Sequence, residues 1–160
     1  MENERIELLK EILQDRKRIK LQRIYKPQGK LLCHCVQVGG SGYYFTTEKE
    51  LYAYCDGRGF LKRSENSYYS KICEINLKFN YYPIVKEETF DPAKKGKLKT
   101  ITFKVNEQLF FELYCCFYRG KKIMFETKVE VYAYCQGKKI ISANENSFLN
   151  PHILKSECDK

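Results

Sequence analysis

The chain has 160 residues, of which 43% are hydrophobic and 14% aromatic, and this composition excludes a disordered tail. Its 29 Lys and Arg against 20 Asp and Glu give a net charge of +9, which favours an acidic partner. Because the sequence has no apolar run of membrane-spanning length and no signal peptide, we expect no membrane partner and a cytoplasmic location, in a host cell if a virus encodes the protein.

The N-terminal segment, residues 1–20, carries apolar side chains at helical spacing. Its apolar face comprises Ile6, Leu9, Ile12 and Leu13. This spacing predicts an N-terminal amphipathic helix outside the rest of the fold.

An internal duplication follows this segment. FTTEKELYAYCDG at 45–57 returns as FETKVEVYAYCQG at 125–137, an offset of 80 residues. Such self-similarity predicts two copies of one structural unit. The predicted boundaries are repeat 1 at 21–85, a linker at 86–99 and repeat 2 at 100–160.

Each repeat is predicted to be a three-stranded antiparallel sheet backed by a helix, which makes the chain an α+β protein with pseudo-twofold symmetry. In the second repeat the predicted strands are Thr102–Val105, Leu109–Tyr118 and Lys122–Phe125, with a tight hairpin at Arg119–Gly120. In the first repeat, residues 39–42 (GGSG) form a looser turn.

The segment after the third strand fits two structures. Thr47 with Glu50, and Thr127 with Glu130, match the capping box of a helix start, so we favour a helix at Tyr52–Cys55 and its copy. The alternating order of KVEVYAYC also fits a strand. Short strands are predicted at FLK and KII, and a half-buried strand at KICEINLKFNYYPIV.

Seven of the eight cysteines lie in apolar, strand-like surroundings and are interpreted as reduced core residues: Cys33, Cys35, Cys55, Cys73, Cys115, Cys116 and Cys135. Cys35 and Cys55 also recur as Cys115 and Cys135, which marks equivalent core positions. A metal site at Cys33-His34-Cys35 is the minor alternative, since the single intervening residue does not match zinc knuckle spacing. No motif for a catalytic nucleophile or a phosphate loop is present, so we expect no enzyme, no cofactor and no metal.

A polar triplet, Glu-Asn-Ser, recurs in both copies. Its candidate ligand residues are Asn66, Ser67, Asn146 and Ser147. Turn formation is the favoured interpretation, because Asn and Ser side chains bond their local backbone. A repeated contact with a small ligand is the alternative.

Basic and tyrosine side chains interleave with the predicted strands and suggest a phosphate-tracking surface. The candidate nucleic-acid-binding residues are Lys20, Arg23, Lys26, Lys30, Lys104, Arg119, Lys121, Lys122, Tyr52 and Tyr132. Ordinary solvated strand faces are the competing interpretation.

The junction Phe-x-Thr-x-x-Glu followed by Ala-Tyr is similar to that of the plant APETALA-type DNA-binding domain and its relatives at the N-termini of phage-type integrases. The matching residues are Phe45, Thr47, Glu50, Ala53 and Tyr54, and again Phe125, Thr127, Glu130, Ala133 and Tyr134. The resemblance implies a sheet that lies in the major groove. By that resemblance, the base-contacting candidates are Arg23, His34, Gln37, Lys104 and Arg119.

We therefore expect a non-enzymatic protein that binds DNA or RNA through two like basic surfaces. The alternative is an inhibitor or adaptor, encoded by a virus or mobile element, that binds a larger protein machine or the anionic face of a nucleoprotein complex. A small-ligand carrier with one pocket per repeat is a third possibility, and an oligomer is compatible with each.

Overall fold

The structure, a computed structural model, describes residues 9–16, 19–25, 29–91, 98–142 and 145–146. They form an α+β fold with two four-stranded antiparallel sheets and three α-helices. The elements are β1 (Leu9–Arg16), β2 (Ile19–Tyr25), β3 (Leu31–Val38), β4 (Ser41–Phe45), α1 (Glu48–Arg58), α2 (Lys71–Phe79), β5 (Ile84–Asp91), β6 (Leu98–Lys104), β7 (Phe110–Tyr118), β8 (Lys121–Phe125) and α3 (Lys128–Gly137). Two compact units are formed, one ending at Leu51 and one spanning Tyr52–Asn146.

The two sheets have the same topology. The first runs β1-β2-β3-β4 and the second β5-β6-β7-β8, with every neighbouring pair antiparallel. In the first sheet, Ile24 pairs with Cys33, and both pack in a cluster with Cys35. The common strand order supports duplication of one ancestral unit.

The second sheet is covered by a helix on each face. On one face, Ile101 and Leu113 pair directly and pack in a core cluster with Cys73 of α2. On the other face, the ring of Phe125 lies 5.3 Å from that of Tyr134 on α3. Because helices cover both faces at the central strand β7, its adjacent residues Cys115 and Cys116, which face opposite sides, are both fully buried.

Helices α1 and α3 meet at a pair of glycines within the unit Tyr52–Asn146. A Cβ added to Gly137 would lie 2.5 Å from the carbonyl oxygen of Tyr54, and one added to Gly57 would collide with the carbonyl oxygen of Tyr134. These two contacts are related by the 80-residue offset, so the helix crossing has local twofold symmetry. Absence of a side chain at both positions is what lets the backbones approach.

Each sheet has four strands instead of the predicted three. The additional strands, β1 and β5, are the outer members of their sheets. Most of β5 falls in the segment predicted to be a linker, residues 86–99, but residues 86–91 of that segment form a strand paired with β6. The division between the compact units falls inside α1. The predicted repeat boundaries therefore describe the duplicated sequence and do not coincide with the compact units.

The predicted N-terminal helix is wrong over Leu9–Arg16, which form β1; residues 1–8 and 17–18 lie outside the described residues. Leu9 pairs with Tyr25 and Arg16 with Ile19 across β2. Ile12, expected on a buried helix face, is 54% exposed. Pairing with β2 overrides the helical spacing, because the strand satisfies backbone groups that β2 would otherwise leave open at the sheet edge.

The segment predicted as a strand at 71–85 begins as the helix α2. Ser70 caps its N-terminus by accepting a hydrogen bond from the Ile72 amide at 3.1 Å, and Asn80 ends it in the left-handed region with φ of 50°. Cys73 and Asn76 form its buried side at helical spacing. Only the end of that segment, from Ile84, is a strand.

The helix predicted after each third strand is confirmed by α1 and α3. Thr47 Oγ1 donates to Glu50 Oε1 at 2.9 Å, and Thr127 Oγ1 donates to Glu130 Oε1 at 2.8 Å. The short strands predicted after the helices are wrong: 60–62 and 139–141 form turns and bends. There, the amides of Phe60 and Ile140 bond back to the helix ends.

None of the helices in the described part of the chain is long and apolar enough to cross a membrane.

Candidate nucleic-acid interface

The β7–β8 hairpin concentrates basic side chains beside aromatic rings. Its turn is made by Arg119 with φ of 51° and Gly120 with φ of 74°, the left-handed pair that a tight two-residue hairpin requires. Cross-strand pairing places Phe117 opposite Lys122 and Tyr118 opposite Lys121. The turn therefore displays cations and rings on both faces of the hairpin.

The cations lie over the rings at close range. The Arg119 guanidinium is 5.1 Å from the centre of the Tyr118 ring. The ammonium groups of Lys99 and Lys122 are 5.0 Å and 5.3 Å from the Phe117 ring. Such contacts hold the basic groups at the surface without neutralising them. We call this group the hairpin patch: Lys99, Phe117, Tyr118, Arg119, Lys121 and Lys122.

Among the described residues, the ion pairs of the hairpin patch involve one carboxylate. Glu87 of β5 lies 3.9 Å from Lys99 and 3.7 Å from Lys122. Four cations against this one acid leave the patch with a net positive charge of three. Arg119 and Lys121 are the exposed members.

Two other predicted basic residues are held by acids. Arg23 lies 3.1 Å from Glu11 and 2.9 Å from Glu48, and the Glu48 hydrogen bond is the main cause that raises its pKa above the ordinary value. Lys104 lies 2.8 Å from Glu107. Their charges are balanced locally, so they add little to an electropositive surface.

The remaining predicted cations lie elsewhere. Lys20 is half-buried on β2, and Lys30 is exposed just before β3. Both belong to the compact unit that ends at Leu51 and not to the unit that contains the hairpin patch. Lys26 lies outside the described residues.

The two tyrosines predicted to contact nucleic acid are buried. Tyr52 is 6% exposed and Tyr132 is 5% exposed. Tyr52 packs its ring 5.3 Å from that of Tyr68, while the Tyr132 hydroxyl donates to the Asp91 carboxylate. Because α1 and α3 are buried on nearly all sides, these rings support the core and are not available for base stacking.

Among the residues that the DNA-binding resemblance implied, Arg23 and His34 pair across β2 and β3. His34 is 5% exposed, and burial lowers the pKa of its imidazole, which favours the neutral form. Gln37 is half-buried. Within the described residues, no three His, Cys, Asp or Glu side chains converge on a metal-sized space.

The glutamate of the Glu-Asn-Ser triplet makes the same hydrogen bond in both copies. Glu65 Oε1 accepts from the Lys62 amide at 2.9 Å, and Glu145 Oε1 accepts from the Ser142 amide at 2.9 Å. Asn146 Nδ2 donates to Gln136 Oε1 at 3.0 Å. The first two bonds lie within the turns, and the last one joins Asn146 to the preceding helix α3.

The candidate ligand residues within that triplet are mostly internal. Asn66 is 5% exposed and accepts from the Tyr68 amide at 3.0 Å, while Asn146 is 2% exposed. Ser67 is exposed, and Ser147 lies outside the described residues. The turn-forming interpretation accounts for Asn66, which bonds its local backbone, whereas Asn146 bonds the side chain of Gln136.

A second group of cations, which the sequence analysis did not single out, surrounds α2. Its members are Lys62, Arg63, Lys71 and Lys78, and they line a cavity of about 530 Å³ on one side of the helix. A cavity of about 470 Å³ on the other side is lined by Lys121 and Lys122 of the hairpin patch. Leu77 of α2 lines both cavities. The adjacent basic residues Lys62 and Arg63 are visible as a pair in the sequence. Lys71 and Lys78 join them only because α2 folds as a helix.

Comparison with protein-family models, with curated proteins and with solved structures found no match to the chain. The resemblance to the APETALA-type domain therefore stays a prediction.

Proposed function

We propose that the chain is a non-enzymatic nucleic-acid-binding protein whose main contact surface is the hairpin patch. The observation that carries this proposal is the excess of cations over acids at the β7–β8 turn, with guanidinium and ammonium groups held above aromatic rings. Lys and Arg neutralise backbone phosphates and supply most of the sequence-independent affinity for DNA or RNA.

The proposal differs from the sequence prediction in which residues it uses. Arg119, Lys121 and Lys122 keep the role predicted for them, and Lys99 joins them. Tyr52 and Tyr132 drop out because they are buried. Phe117 and Tyr118 are the aromatic residues nearest to the cations, and both are half-buried. Their exposed edges suit packing against a sugar–phosphate backbone more than full stacking with a base.

The test is a salt-titrated anisotropy measurement with single- and double-stranded DNA and RNA oligonucleotides. We expect affinity to fall steeply between low and physiological salt. Arg119→Asn removes a charge while Asn-Gly keeps the left-handed turn, and Lys121→Glu reverses an exposed charge. Each variant should lower the salt slope by about one.

The matched control is Lys86→Gln on β5, a 60% exposed lysine that lies 3.1 Å from Glu88. This variant should leave both the affinity and the salt slope unchanged. Absence of binding by the unaltered chain at low salt, or an equal loss with Lys86→Gln, would exclude the hairpin patch as the contact surface.

A second candidate function is binding to a protein partner, as an inhibitor or adaptor. It is favoured by an exposed strand edge with apolar neighbours: β5 is the outer strand of its sheet, and Phe79, Tyr81 and Val85 are 71%, 64% and 51% exposed. Such edges pair with other polypeptides. For this candidate we expect oligonucleotides to stay unbound at low salt, and Phe79→Asp to weaken a stoichiometric protein complex without unfolding the chain.

A further inference from the structure

The cavity of about 530 Å³ beside α2 has the size of a small-molecule site, since such sites span about 300–1,000 Å³. It lies wholly within the unit Tyr52–Asn146, between the turn that follows α1 and the face of α2. Tyr69 and Leu77 supply its apolar surface, and Asn66 and Ser64 supply neutral polar groups.

The charge of this cavity is positive. Lys62, Arg63, Lys71 and Lys78 line it together with one acid, Glu74, and Asp56, which is not a lining residue, lies 3.1 Å from Arg63, so two positive charges remain in excess. Lys78 lies 2.7 Å from Glu74, and this hydrogen bond is the main cause that lowers the pKa of the Glu74 carboxyl. The charges of Lys62 and Lys71, both exposed at the rim, are the ones that a ligand can most easily reach.

Arg63 is a rigid donor at the cavity wall. Its guanidinium lies 4.0 Å from the centre of the Tyr69 ring and 4.6 Å from that of Phe125, and its Nε is 3.1 Å from the Asp56 carboxylate. Its Nη1 is buried and has no hydrogen-bond acceptor among the described residues, so a ligand in the cavity would meet the guanidinium through the part of the side chain that is exposed, which is 29% of it. A guanidinium fixed in this way loses little conformational entropy when an anion arrives.

The duplication shows that the turn does not require these cations. Lys62-Arg63-Ser64 in the first copy corresponds to Ser142-Ala143-Asn144 in the second. Glu145 still bonds the Ser142 amide at 2.9 Å, as Glu65 bonds that of Lys62. The Glu-to-amide bond therefore forms in both copies although only the first copy has basic residues here, so this bond does not account for the cations.

We infer that this cavity binds a phosphate monoester of nucleotide size. The doubly charged phosphate matches the cationic rim of Lys62, Lys71 and the Arg63 guanidinium. The remaining, less polar part of a nucleotide matches the surface of Tyr69 and Leu77. The inference does not depend on the hairpin patch, because the two sets of cations share no residue.

The experiment is isothermal titration of the full chain with adenosine monophosphate, adenosine and inorganic phosphate. We expect adenosine monophosphate to bind at one site per chain and adenosine to bind much more weakly. Lys71→Glu and Lys62→Glu should each weaken the binding of adenosine monophosphate by about tenfold or more, because each removes a charged contact with the phosphate and adds a repulsive one. Lys71→Glu changes the first turn of α2, where the helix dipole favours a negative charge, so this variant should still fold.

Lys121→Glu is the control, because it alters the hairpin patch and the other cavity. This variant should weaken the binding of oligonucleotides and leave the binding of adenosine monophosphate unchanged. An oligonucleotide with a 5′-phosphate, compared with its 5′-hydroxyl form, separates a nucleic-acid end from a free nucleotide as the source of the phosphate. Equal binding of adenosine and adenosine monophosphate, or equal losses with Lys71→Glu and Lys121→Glu, would overturn the inference.

Discussion

At the scale of single residues, two glutamates are placed where glutamates are usually avoided. Glu50 and Glu130 are each 1% exposed, at equivalent positions in the first turns of α1 and α3. Each receives a hydrogen bond from the threonine three residues before it. The sequence predicted these capping pairs because the signal is contained within four residues. Their burial was not predictable, because it depends on what packs around the helix.

Burial gives Glu50 a defined effect on stability. Desolvation is the main cause that raises the pKa of its carboxyl above 4.5, and its Oε2 has no hydrogen-bond partner among the described residues. Since the folded chain holds this proton more tightly than the unfolded chain, the stabilisation is complete below pH 4.5 and is lost as the pH rises through the folded pKa.

The corresponding prediction concerns Glu50→Gln, which removes the titrating group. The free energy of unfolding should fall less between pH 4.5 and neutrality than it does for the unaltered chain, as measured by urea denaturation across that range. Burial also raises the pKa of Asp56, so part of the slope should remain. Glu107→Gln, at a side chain that is 87% exposed, is the control. A slope that Glu50→Gln leaves intact would contradict this assignment.

At the scale of elements, the sequence was reliable where one local signal decides the structure. The Arg119–Gly120 hairpin and the two helices form as predicted, because each depends on backbone conformation within a few residues. The predicted cap bond to the helix backbone forms at Thr47 of α1 and not at Thr127 of α3. The segment at 71–79 failed for the opposite reason. Its alternating apolar residues suited a strand, but Ser70, Asn76 and Asn80 all bond as a helix requires.

The two outer strands were missed for a tertiary reason. Neither β1 nor β5 is strongly apolar on one face, and six successive residues of β5 from Ile84 are exposed. Their strand conformation comes from pairing with β2 and β6, which a local pattern does not report. The sequence therefore predicted six of the eight strands in outline and omitted the two that depend most on a neighbour.

The crossing of α1 and α3 supplies a prediction at this scale. Gly57→Ala places a methyl group against the backbone of Tyr134, which cannot rotate away as a side chain can. Alanine favours a helix over glycine by about 1 kcal/mol, so the overlap has to exceed that gain. We expect a net loss of about 2 kcal/mol in the free energy of unfolding, measured by urea denaturation.

Gly40→Ala is the matched control, because a Cβ there would meet nothing within 4 Å. Combining Gly57→Ala with Gly137→Ala should cost less than the sum of the single changes, since both methyl groups push the same two helices apart. Stabilisation by Gly57→Ala would show that the crossing tolerates a wider spacing.

At the scale of the whole molecule, the two copies share a topology but not a surface. The hairpin of the second copy carries Arg119, Lys121 and Lys122, whereas that of the first carries Gly39, Gly40 and Ser41. The sequence led us to expect two like basic surfaces. The charged residues, however, are not duplicated with the fold, because surface positions are free to change while core positions are constrained by packing.

This asymmetry predicts one oligonucleotide site per chain. Lys121→Glu should weaken oligonucleotide binding by about tenfold, as expected for a lost charged contact. Lys20→Glu in the first sheet should change it by less than about twofold, because Lys20 is half-buried and lies in the other compact unit. Anisotropy titration of both variants at one salt concentration provides the measurement. Similar losses, or two sites per chain, would favour the original expectation of two equivalent surfaces.

The sequence by itself determined the duplication, the helices that follow each third strand and the tight hairpin of the second copy. These features depend on sequence identity between the copies and on hydrogen bonds within a few consecutive residues, so they can be predicted without knowing the tertiary structure. Tertiary structure alone decided that β1 and β5 complete the sheets, that Tyr52 and Tyr132 are buried, and that Lys62, Arg63, Lys71 and Lys78 line one cavity. Those outcomes depend on pairing and packing between distant segments, where the free energy of contact exceeds any local preference.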